Sequence, residues 1–89
     1  MKVHKMINAK DKSSMKARLA RIEGQLRGVQ RLIDADEPDC EMVVQQMAAA
    51  RKAMDKAAHT MLACIIEAHI KAGETDDLSD LGALISKYA

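Results

Sequence analysis

The stretch that decides the fold is Asp39–Ala72, DCEMVVQQMAAARKAMDKAAHTMLACIIEAHIKA, which reads as one long helix. Cys40, Val43, Met47, Ala50, Met54, Ala57, Met61, Cys64 and Ala68 recur at alternating steps of three and four, a heptad-like apolar seam. A second row, Ala58, Leu62, Ile65 and His69, lies beside it. Both cysteines and two histidines, His59 and His69, fall in this stretch. A helix so long and so apolar needs partners, because helices in water draw most of their stability from packing.

Upstream lies a second narrow seam, suited to packing on another helix. Met15, Leu19, Ile22, Leu26, Val29 and Ile33 step by fours and threes, and Ser13 or Ser14 can cap a helix starting there. Gly24 and Gly28 each cost such a helix about 1 kcal/mol against Ala. They share a face, which either lets another backbone come close or is simply tolerated. Lys12, Lys16, Arg18, Arg21, Arg27 and Arg31 make this helix cationic, with Glu23 the one acid between Lys12 and Ile33. A run of this kind is either a solvated face or a phosphate-binding one.

The link Asp34–Asp39 contains Pro38, suited to a helix start, and Asp39, suited to a cap. Cys40 then lies in the first turn, where backbone N–H groups and the helix dipole favour a thiolate. Gly73 is a stop signal, residues 74–77 are an acidic connector, and a third short helix is expected from about Asp77 to Tyr88. No repeat, low-complexity segment or strand signal is present.

The chain has 89 residues, no Phe or Trp and a single Tyr, so its core must be Leu, Ile, Met, Val and Ala. That is little core for three helices, and oligomerisation is the expected remedy. A flexible arm over residues 1–10 and a single helical domain over 11–89 are expected. The formal net charge of +1 says nothing about nucleic acid; only its distribution does. There is no 18-residue apolar run to span a membrane and no apolar signal segment. Two cysteines without a secretion signal point to the reducing cytoplasm and a thiol or metal role. No Ser/His/Asp grouping, phosphate loop or carboxylate pair argues for an enzyme.

Cys40, Cys64 and His69 are the candidates for chemistry. Cys40 and Cys64, separated by 24 residues, stand roughly 36 Å apart on one helix. They cannot meet within a chain. Two long helices pairing antiparallel across a twofold axis near Met54 would set Cys40 of one chain level with residues 64–69 of the other, giving two equivalent sites. Thiolate and imidazole there suit Cu(I), Zn(II), Ni(II) or Co(II); facing cysteines suit an intersubunit disulfide or polysulfide link. Cys64 and His69 diverge by about 140° around the helix, so the two do not both serve one metal easily. Cysteine in a seam is also commonly a small buried hydrophobe.

Arg18-Leu-Ala-Arg-Ile-Glu-Gly-Gln-Leu-Arg-Gly28, then Asp39-Cys40, then Val44-Gln-Gln-Met-Ala-Ala49, resemble the copper-sensitive operon repressor (CsoR/RcnR) family over about Lys12–Ala72. The resemblance implies an all-α protomer of three helices with one long central helix. It further implies an antiparallel helical dimer that assembles into a dimer-of-dimers tetramer without a helix-turn-helix. It implies a cytoplasmic repressor that binds operator DNA and loses affinity when an inducer occupies an intersubunit site. By matching position, Arg18, Arg21 and Lys56 look like DNA-contacting residues. The family's first metal ligand falls on Cys40, its second on Ile65, which cannot ligate, and its third on His69. Cys64, beside the empty position, or His4 from the N-terminal arm are the substitutes at hand, and Cu(I) or another thiophilic metal is the implied inducer. Two further readings stand beside this one. The first is a persulfide-sensing repressor using Cys40 and Cys64; the second is a metal-buffering or scaffold oligomer that leaves DNA alone.

Overall fold

A computed structural model describes residues 7–73 and 78–88, with the side chains of Ala72 and residues 78–81 left aside. Three helices follow in order, α1 (Ala9–Ile33), α2 (Cys40–Ala72) and α3 (Leu78–Tyr88), and the described residues contain no strand. His4, part of the expected arm and the acidic connector at 74–77 lie outside the described residues.

Local chemistry explains the boundaries. α1 begins at Ala9, a turn before Ser13 and Ser14, because the Asn8 side chain accepts the Asp11 backbone N–H at 2.8 Å. Asp11 in that first turn also faces the positive end of the helix dipole. α2 is capped by Asp39, whose carboxylate accepts the Met42 N–H at 3.1 Å, with Pro38 just ahead of the cap. It ends at Gly73, which takes a left-handed φ of 69° and returns its N–H to the last turn. Across its 33 residues α2 runs about 50 Å.

α1 and α2 form a hairpin. Met15, Ile22 and Ala57 share one buried cluster, with Ala53 and Met61 packed against it. Val29 and Ala50 extend the buried line toward the Asp34–Asp39 link. The expected seams are therefore only half used. Met15, Ile22 and Val29 are buried, whereas Leu26 is 50% exposed, Met47 53% and Met54 48%. The buried residues of α1 repeat every seven, and Leu19, Leu26 and Ile33, offset from them by three or four residues and so about 40–60° round the helix, fall outside the line that α2 covers. The backbone extends over 57 × 26 × 14 Å, a long and thin shape. A β-carbon at Gly24 would meet nothing within 4 Å, and one at Gly28 would meet only the Arg31 guanidinium at 3.8 Å. Packing within this chain therefore does not require either glycine.

Candidate functional site

The hairpin has two sides. At about 100° per residue, Arg18, Arg21 and Gln25 turn one way from the buried line of α1, and Lys56 turns the same way from that of α2. These four, with Ile22 and Ala53 as an apolar floor, line one open groove of about 360 Å3. So the three residues singled out as DNA-contacting come from two helices to one place, and Gln25 joins them. Among the described residues the ion pair present is Lys71–Glu67, at 3.0 Å; Arg18, Arg21 and Lys56 have no carboxylate partner. Three unneutralised cations around a groove concentrate anions there. Sequence reading passed over Gln25, although it sits seven residues from Arg18 and four from Arg21, in the same helical row.

On the opposite side lie Leu19 and Leu26 of α1 and Met47 and Met54 of α2, all at least a third exposed. A shallow depression lined by Val44, Met47, Ala48 and Arg51 continues this apolar side along α2.

Cys40, Cys64 and His69 remain apart within the chain. Cys40 is exposed at the first turn of α2, its Sγ 4.0 Å from the Pro38 carbonyl oxygen. His69 stands 29 residues on, near the far end of the helix, and is 2% exposed. Cys64 is partly buried; burial pushes its thiol up, and the negative charges of Asp11 and Glu67 add to the shift. A raised thiol favours the neutral form, the poorer one for ligation or nucleophilic attack. Asp11 is a second neighbour that sequence reading did not pick out; only the hairpin fold sets it against Cys64.

The donors fit a thiophilic metal in kind, a thiol and an imidazole. Within one chain they do not fit in place, since no three of the described His, Cys, Asp and Glu residues gather into a metal-holding group. A site made from Cys40 and His69 requires a second copy. No described helix is long and apolar enough to cross a membrane.

Comparison with known proteins gives two matches. The family profile described as "Metal-sensitive transcriptional repressor" matches residues 11–87. A relative in Bacillus subtilis (strain 168), the "Copper-sensing transcriptional repressor CsoR", is 33% identical over 94 aligned positions, covering 96% of this chain and 91% of the relative. No solved structure matches.

Proposed function

The chain belongs to the metal-sensitive transcriptional repressor family, whose members are repressors rather than enzymes, and from that premise we propose how it holds DNA and how it lets go. It grips the operator's phosphate backbone with the groove lined by Arg18, Arg21 and Lys56. It works as an antiparallel dimer that doubles into a tetramer. Cys40 of one copy and His69 of another hold the inducing metal, with Cu(I) the first candidate because copper is the metal named for the Bacillus subtilis relative.

The observation that carries the DNA reading is the groove itself. Two helices bring three cations together without a carboxylate to neutralise them. Phosphate contacts of this kind supply affinity and register. The oligomer reading rests on the unpartnered apolar side, where Leu19, Leu26, Met47 and Met54 stand between 36% and 53% exposed on one face of the hairpin. Soluble single chains rarely expose such a stripe.

Cys40 and His69 are the donors because they stand at opposite ends of α2, so that a twofold axis near Met54 brings one of each together twice. A metal bound there joins two copies through a thiolate and an imidazole. Everything else is linkage: DNA affinity falls by no more than the ratio of metal affinities for the released and DNA-bound geometries. The raised thiol of Cys64 makes it the weaker third donor and the weaker sulfur-sensing partner of Cys40.

The test is operator release by the reduced protein under anaerobic conditions, titrating Cu(I), Ni(II), Co(II), Zn(II) and a persulfide donor in parallel. Release by a metal, lost in Cys40→Ser, is the expected result. Release by the sulfur donor alone, with a dimer band that reductant removes, would transfer the switch to Cys40 and Cys64. Unchanged DNA binding after charge reversal at Arg18 and Lys56 would leave a metal-buffering or scaffold oligomer.

A further inference from the structure

We infer that Gln25 is a fourth contact residue of the basic groove, one that binds DNA phosphate without charge through its side-chain amide. The inference deepens the groove reading above and depends on it.

Three observations place Gln25 in this role. It completes the row Arg18–Arg21–Gln25 on α1 and lines the same groove as Lys56 of α2. It is exposed and, among the described residues, makes no hydrogen bond, so its two amide hydrogens are available. The groove floor, Ile22 and Ala53, has no side-chain donor. Thr60, the next hydroxyl along α2, is already committed, donating to the Lys56 carbonyl oxygen at 2.8 Å. Gln25 is thus the uncharged donor the groove can offer.

Shape decides what that donor meets. The groove is concave, formed between two helices. A duplex presents its phosphate ridges as convex edges, while base edges lie recessed, on the order of 8 Å deep in the major groove. A ridge enters such a groove and a base edge does not. Gln25 therefore adds affinity and register at a phosphate and reads no base. A neutral amide displaces no condensed counterion, whereas each cation does. This gives the two kinds of contact different signatures in salt.

The experiment is fluorescence anisotropy on the full-length apo-protein, with a duplex carrying its own promoter and a scrambled duplex of the same length, over a range of salt. Gln25→Ala should weaken both duplexes roughly tenfold, since hydrogen bonds to charged groups are the stronger kind. The slope of log affinity against log salt should stay as in the wild type. Arg18→Ala, measured beside it, should flatten that slope by about 0.9 for each phosphate released. If Gln25→Ala binds like the wild type, or weakens the promoter duplex alone, the inference is overturned. If Arg18→Ala and Lys56→Ala also leave the slope unchanged, the groove reading fails first and takes the inference with it.

Discussion

The two sides of the α1–α2 hairpin share a buried line and almost nothing else. One side collects Arg18, Arg21, Gln25 and Lys56 around a groove. The other leaves Leu19, Leu26, Met47 and Met54 in water. Both come from the same helices, separated by rotations of about 100–160° around each axis. The difference teaches that a thin hairpin can be amphipathic as a unit. Its buried line holds two helices together, one side is suited to a polyanion, and the other has more apolar surface than a single chain keeps exposed. Cys40 and His69 stand near the two ends of α2, where the proposed pairing of copies would bring one of each together.

The largest expected effect breaks the apolar side. Under the proposed antiparallel pairing, Met54→Glu sets a carboxylate near the twofold axis, where it meets its own copy. Burying unpaired like charges costs several kcal/mol, so self-association, followed by sedimentation, should weaken by about a hundredfold or more. Binding to DNA should fall with it, because each copy supplies one groove. A monomeric Met54→Glu with unchanged operator affinity would show that the two sides work independently.

The basic side yields smaller steps. Arg21→Ala and Lys56→Ala should each cut operator affinity about tenfold at low salt and flatten its salt dependence by roughly 0.9 per phosphate lost, with assembly untouched in sedimentation. A substitution there that dissociates the oligomer would mean the sides have been assigned the wrong way round.

Smaller still is the Asp39 cap. Asp39→Ala leaves the Met42 N–H without its 3.1 Å acceptor and should cost about 1 kcal/mol, read as a lower midpoint in denaturant. The mildest effect concerns Cys64. Burial and the Asp11 carboxylate raise its thiol above the ordinary range. A group raised on folding contributes stability that is complete below its unfolded pKa, about 8.5 for a thiol, and is lost as pH rises through the folded value. Unfolding midpoints should therefore decline from about pH 8.5 upward in the wild type and stay flatter in Cys64→Ala. Lys71, also raised, by Glu67, titrates higher and leaves that window to the thiol. An equal decline in Cys64→Ala would remove Asp11 and Cys64 as a linked pair.

Much of this was legible in the chain. The α2 stop at Gly73 and its cap at Asp39 follow from local chemistry, and the structure has them; each seam was legible as a packing face, but that part of the α2 seam packs on α1 of the same chain, rather than on another copy, was not. What the period alone could not give was which seam residues face the neighbour, because steps of three and four straddle the contact line. That is why Leu26 and Met54 read like Ile22 and Ala57 and yet stand in water. The earlier start of α1 turns on one side-chain hydrogen bond from Asn8, a weaker signal than two adjacent serines. Arg18, Arg21 and Lys56 drew notice as cations, but their convergence with Gln25, like the approach of Asp11 to Cys64, exists only once the chain folds back on itself.

The central claim, that copies meet so that each inducer site takes Cys40 from one and His69 from another, has a direct test by complementation. Cys40→Ser and His69→Ala chains each lack every complete site. Co-refolded as a mixture, half the antiparallel dimers are hybrids and carry one intact site, so metal binding and metal-driven operator release should return at about a quarter of the wild-type stoichiometry. If the mixture binds no more metal than the separate variants, the two residues do not share a site across copies, and the account of the switch is wrong.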